Sequence, residues 1–299
     1  MMVPMLRFPL VTPMALWERL MTRYRHSTIR LIATAVFFLC VPAVYADCPP
    51  AVPGVIVANP NRPTVANPAD ITQLGVVELE FGFAHAQVPL HQHQNTLEGL
   101  LKFALACDLE IRWDASPFSN QGGPTGGQSG IGDNWLGFQY RFHRQSRFVP
   151  TLAFGYDLKF PSASVSKGLG TGRYDHQFVF LASKDIKGFH FDFNASLFRV
   201  GRQDGSGSDI NEQFNLAFSH LIYKKLGFTG EFYGDTRLGR DTPAFASGLW
   251  ALTYAVSPRF VIDSGMDHGI TSGGPHERRF FAGLTYSIAD LYHHKQSSE

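Results

Sequence analysis

The sequence predicts an all-β fold, an antiparallel transmembrane β-barrel of about twelve strands with short periplasmic turns and long outer loops. Three observations predict it. From residue 71 to residue 288 the chain is a series of segments that alternate apolar and polar side chains, each close to the roughly ten residues that a tilted strand needs to cross a bilayer. The connections between them alternate long and short without a break, as in barrels with long outer loops and tight periplasmic turns. An export signal precedes them: basic Arg23, Arg25 and Arg30, the apolar run 31–44, then Val44-Tyr45-Ala46, a small-x-small exit that predicts cleavage after Ala46.

Composition agrees. The 299 residues include 26 Phe and 29 Gly, and charged residues make up 17%, below the roughly 25% of an average soluble protein. A wall facing lipid needs an apolar side chain at each outward position, and rings pack well along strands. Mean hydropathy is near zero, and after the N-terminus there is no run of the roughly 20 apolar residues of a spanning helix. The net charge of +1 gives no basic surface for nucleic acid.

Four regions follow: an N-terminal extension and signal peptide over 1–46, with translation expected to start at Met21; a periplasmic Pro/Asn-rich lead-in over 47–70; the barrel over 71–288; and a C-terminal tail over 289–299. Strands are expected near 74–84, 97–106, 108–115, 133–142, 150–160, 174–183, 189–199, 212–221, 226–234, 245–255, 259–268 and 279–288. The clearest is 189–199, where Phe189, Phe191, Phe193, Ala195 and Leu197 alternate with His190, Asp192, Asn194 and Ser196. Long connections fall near 85–96, 116–132, 161–173, 200–211, 235–244 and 269–278, and short ones near Cys107, 143–149, 184–188, 222–225 and 256–258.

Alternation alone does not say which face is inside. The signal, the Phe count and Gly-rich loops at one end assign the apolar face to lipid and the polar face to the lumen. Tyr140, Phe142, Tyr254 and Tyr286, near strand ends, suit interface girdles. The candidate lumen-lining residues are Glu80, Lys102, Glu110, Arg112, Arg141, Asp157, Lys159, His190, Asp192, Asn194, Glu231 and Asp263, with Glu78, Asp175, Asp267 and Arg279 on the same face. Buried ions need partners, so these pair across a plugged lumen or stand in the water of an open one; the sequence leaves both open. Cys40 is lost with the signal. Cys48 and Cys107 both fall on the periplasmic side, where a disulfide is permitted, and their pairing stays open.

Other motifs weigh less. His91 and His93 share one side of an extended segment but lack a third ligand nearby, and read as a solvated loop. Gly168-Leu169-Gly170-Thr171-Gly172 lacks the strand-to-helix setting of a phosphate cradle and reads as a loop. Asp263, Ser264 and His268 suggest a hydrolase, but Ser264 and Asp263 fall on opposite faces of one strand. No enzyme, cofactor or metal is expected.

Several segments resemble the family of outer-membrane transporters named for the MetA pathway of phenol degradation. They are NRPTVANPADITQLGVVELEFGF with its Arg62-Pro63 pair, Gly75 and the Glu78-Leu79-Glu80 strand; LLKFALACDLEIRW at 100–113, with Ala106-Cys107-Asp108 where the family usually turns on Gly; GIGDNWLGFQYRF at 130–142; LAFGYDLKFPSAS at 152–164; GLWALTYAVSPRFVIDSGMDHGI at 248–270; and the closing FFAGLTYSI. The resemblance covers about 60–288, and the chain runs on past Ile288. It implies a channel or transporter in the cell outer membrane for small molecules, with hydrophobic or aromatic compounds suggested by the family name. The partners expected are outer-membrane lipids, a small-molecule solute and the outer-membrane assembly machinery. The alternatives are a non-conducting structural or adhesive barrel and a lipid-modifying enzyme.

Overall fold

A computed structural model describes residues 55–88, 92–123, 126–236, 243–271 and 273–292. The chain forms β1 (Val76–Val88), β2 (Gln92–Ala106), β3 (Leu109–Gly123), β4 (Gly126–Gly130), β5 (Asn134–His143), β6 (Thr151–Phe160), β7 (Asp175–Ile186), β8 (Phe189–Gly201), β9 (Ser208–Tyr223), β10 (Leu226–Asp235), β11 (Phe245–Ser257), β12 (Phe260–Gly269) and β13 (Arg278–Asp290). Every pairing is antiparallel, and β1 bonds to both β2 and β13. With β3 against β2 and β5, the sheet closes into a ring of twelve strands; β4 is an outlying hairpin arm on β3. Closure leaves the wall without a free edge, which a membrane requires of a sheet.

The burial pattern runs opposite to that of a soluble protein. On β9, Phe214 and Leu216 are exposed while Asn215 and Ala217 are buried. Phe178 and Phe180 on β7, Phe193 and Leu197 on β8, Phe232 on β10 and Phe280 on β13 are likewise outside. Among the largest fully enclosed side chains are Lys102, Glu78, Glu80, Glu231 and Gln139. Water would favour the reverse arrangement; acyl chains around the wall favour this one. The outward aromatics also contact each other across strands, Phe228 stacking on Trp250 at 6.1 Å and Phe260 meeting Tyr286 edge-on.

Three differences from the sequence reading have physical causes. The first is at the long-loop end, where strands overrun their predicted limits. β1 and β2 pair up to Val88 and Gln92, and the Gly-rich stretch predicted as loop continues β3 and forms β4. Above the bilayer both faces of a hairpin are wet, so pairing persists where alternation stops. The second is at the C-terminal end, where β13 continues to Asp290, past the predicted limit at Ile288. Leu291 N then donates to Gly75 O, and the Tyr292 ring lies on Gly75, whose φ of +76° and close contact both require glycine.

The third is the Pro/Asn-rich lead-in. The expectation of a periplasmic segment is corrected over its described part: residues 58–72 fold back inside the barrel. Ala58 N donates to Pro258 O at a short turn, the chain climbs to Arg62, and it descends past Glu231, Asn194 and Ser183 to reach Glu110 and β1. A polar, Pro-rich segment reads as solvated because it offers no apolar face, but the interior of this barrel is polar too.

Candidate functional site: a self-plugged lumen and the chamber above it

A segment without regular structure inside a sealed wall must bond its backbone N–H groups to something, and the strands have spent theirs on the ladder. The inward side chains supply the acceptors. Glu78 accepts from Asn59 N at 2.9 Å, and Glu80 from Asn61 N and Arg62 N at 2.8 Å each. Glu231 takes Val65 N and Ala66 N at 2.7 and 2.8 Å. Glu110 takes both Thr72 N and its hydroxyl at 2.8 Å. Asn194 pairs twice with the Asn67 backbone, and Ser183 accepts from Ala69 N. Lys102 and Gln139 donate to plug carbonyls at Asn59 and Pro68. Of the alternatives left open by the sequence, the plugged lumen fits Glu78 and Glu80, which pair with Lys102; these acids, with Glu110 and Glu231, also accept from the chain's own backbone.

Cations fix the plug at three levels. Lys102 Nζ lies 2.8 Å from Glu78 and 2.6 Å from Glu80, all three fully enclosed. Arg141 bridges Asp70 of the plug and Asp108 of the β2–β3 turn at 2.9 Å each. At the tip, the Arg62 guanidinium donates twice to Asp263 and once to Glu98, all at 3.2 Å. It lies against Gly82 and Gly283, which pair with each other across β1 and β13. A Cβ on either would sit within 2.6 Å of the guanidinium, so the wall is bare where the arginine rests.

Beyond the tip, on the long-loop side, a chamber of about 450 Å³ remains. Arg62, Thr64 and Val65 form its floor, Asp114, Asp157, Glu98, Arg112 and Arg279 supply its charges, and Trp135, Phe198, Phe281 and Leu100 its apolar wall. Glu98 is bonded to Arg62 and lies 3.6 Å from Arg279. Arg112 donates from Nη1 to Gln139 at 3.0 Å, leaving Nε without a partner. Gly137 stands between Arg112 and Asp157 in the ladder. Its missing Cβ leaves room for the Asp157 carboxylate, which otherwise would collide with it.

The remaining candidates lie away from the chamber. Lys159 joins Asp133 and Asp175 and donates to Thr171 Oγ1, anchoring the loop over 161–174. His190 bonds Asp185 and Asp192 near the short turns, with Asp192 also accepting from Ser183. Sequence reasoning missed Arg62, Glu98 and Asp114 as site residues. Glu98 and Asp114 share the strand parity of Lys102 and Arg112 and were legible from it; Arg62 depended on the plug. Asp267 accepts from Tyr233, Arg279 and His276, a loop contact that no periodicity signals. His91 lies outside the described residues, which contain no cluster of three metal-ligating side chains. Ser264 donates to Phe281 O, and His268 sits four residues along the same strand, about 13 Å away, so the two form no dyad. Cys107 is disulfide-bonded; Cys48 lies outside the described residues.

A closed antiparallel barrel with an oily exterior, an ionic interior and a folded-in N-terminal segment is an outer-membrane-type β-barrel in architecture. The family model described as "Putative MetA-pathway of phenol degradation" matches residues 90–288, and the chain belongs to that family. Among solved structures it is similar to a COG4313 outer membrane channel from Pseudomonas putida F1, with TM-score 0.57 and 11% identity over 80% of this chain and 100% of that one. It also aligns with the KdgM porin, with TM-score 0.47 and 9% identity over 70% of this chain and 99% of that one. At such identities the likeness is one of fold. A search of curated proteins finds no match.

Proposed function

We propose that this protein is an outer-membrane channel for small solutes, closed at rest by residues 58–72 and opened when that segment shifts. The chamber carries the reading. It opens off the long-loop side, ends on the plug, and combines aromatic walls with the carboxylates of Asp114 and Asp157, which make no ion pair or hydrogen bond among the described residues. Such a lining suits a small solute with one apolar, ring-like face and a hydrogen-bond donor or positive charge. The family description, which names phenol degradation, agrees with an aromatic solute. The candidate lining residues divide accordingly. Arg112 and Asp157, with Asp114, contact solute; Glu80, Lys102, Glu110, Asn194, Glu231 and Asp263 hold the plug.

Export by the signal over 1–46 and insertion by the outer-membrane assembly machinery belong to the same reading. Planar-bilayer conductance tests it. Wild-type protein should give small or rare openings, and a variant lacking residues 58–72 should conduct steadily. A folded barrel that stays closed after that deletion would leave a structural or adhesive role in its place.

A further inference from the structure

The short turns carry cations at positions that turn geometry disfavours. Lys187 has φ +51° and Lys224 φ +46°, the only non-glycine residues with positive φ among the described residues. Turns of this kind take Gly, Asn or Asp without strain; a long, Cβ-bearing lysine in each place points to a requirement other than the turn. Arg147 occupies the β5–β6 turn and Arg259 the β11–β12 turn. With Lys187 in the β7–β8 turn and Lys224 in the β9–β10 turn, the four cations lie on four successive hairpins around the ring.

All four are exposed, and none forms an ion pair among the described residues. Their neighbours differ: Arg144 is paired with Asp108, Lys184 donates to the carbonyls of Ser146 and Arg147, and Lys225 to that of Val256. Beside the free cations the wall is apolar and uncovered. Phe148 is 83% exposed, Tyr223 63% and Ile186 50%. Arg147 sits over the Phe148 ring at 5.1 Å and Lys224 over the Tyr223 ring at 5.0 Å. Arg147 and Lys224 are thus held against exposed rings at the rim of the apolar band, where a side chain buries its stem among acyl chains and keeps its head at the level of the lipid phosphates.

We infer that this arc is a binding surface for anionic phospholipid headgroups in the leaflet around the short turns. The occupant follows from charge complementarity. Unpaired cations beside exposed rings at a bilayer's edge match a phosphodiester with a net negative charge, and a zwitterionic headgroup offers them no net attraction. The inference stands apart from solute passage and holds whether or not the chamber conducts.

The test uses the full barrel in nanodiscs made from an equimolar mixture of phosphatidylcholine and phosphatidylglycerol. Lipids retained on the released protein are counted by native mass spectrometry. Wild type should retain phosphatidylglycerol over phosphatidylcholine by roughly fivefold or more, the equivalent of one surface cation's attraction to an anionic membrane. The variant Arg147→Gln/Lys187→Asn/Lys224→Asn/Arg259→Gln should lose the preference. Asn relieves the backbone at the two lysine positions, so the barrel should still form, which heat-modifiable gel mobility checks. Lys167→Gln/Arg278→Gln, at the other end, should keep the preference. Equal retention of both lipids by wild type, or an unchanged preference in the fourfold variant, overturns the inference; a protein bound to the arc with no lipid preference does the same.

Discussion

The guanidinium of Arg62 donates two hydrogen bonds of 3.2 Å to the carboxylate of Asp263, 201 residues away along the chain. That pair joins the tip of the plug to the barrel wall on β12. It exists because Gly82 and Gly283 leave the adjoining wall without side chains. Gly82→Ala or Gly283→Ala should therefore push the guanidinium off its bed and weaken the tip, while the strands themselves keep their ladder. The outcome expected is a higher open probability in planar bilayers with little change in barrel melting. Conductance traces identical to wild type would show that the tip does not control closure.

Glu231 accepts from two plug donors at once, one of them fully buried. In Glu231→Ala the N–H groups of Val65 and Ala66 lose their acceptor, at roughly 1–3 kcal/mol for each buried group left unsatisfied. The descending limb of the plug should loosen, seen as faster amide exchange over residues 64–70 with protection in the barrel strands retained. Glu231→Gln keeps one acceptor oxygen and should fall between the two.

Asp114 and Asp157 are the unpaired acids of the chamber. Asp114→Asn/Asp157→Asn should lower preference for cations over anions in reversal-potential measurements on the variant lacking residues 58–72. Arg112→Gln should raise it. A chamber off the conducting path would leave selectivity unchanged in both.

Cys107 is disulfide-bonded, and Cys48 is the other cysteine expected to remain after signal cleavage. Digestion without reductant should yield a peptide joining Cys48 to Cys107. Cys107→Ser should free the start of the lead-in and lower stability by about 2–4 kcal/mol. N-terminal sequencing of the exported protein bears on the same segment and should begin at Asp47.

The wall was legible in the sequence because a lipid-facing barrel writes itself locally. The alternation in 189–199 specified β8 and its two faces, with Asn194 buried and Phe193 exposed. The long and short connections specified hairpins and their order. Period-two reasoning failed where both strand faces are wet, as in β4 and the outer ends of β1 and β2. It had no purchase on residues 58–72, whose backbone partners are side chains on the barrel strands, some of them more than a hundred residues distant, such as Asn194 and Glu231.

By itself, then, the sequence determined the strands, the ionic inward face and the apolar outward one, since each is a short-range pattern set by the solvent that each side chain meets. Only the tertiary structure decided what fills the interior. Closing the ring brings Glu78, Glu80, Glu110 and Glu231 around one axis, and their demand for donors is met by a polar segment that has no periodicity of its own. Plug and chamber arise from that long-range satisfaction of hydrogen bonds, which no local pattern of residues encodes.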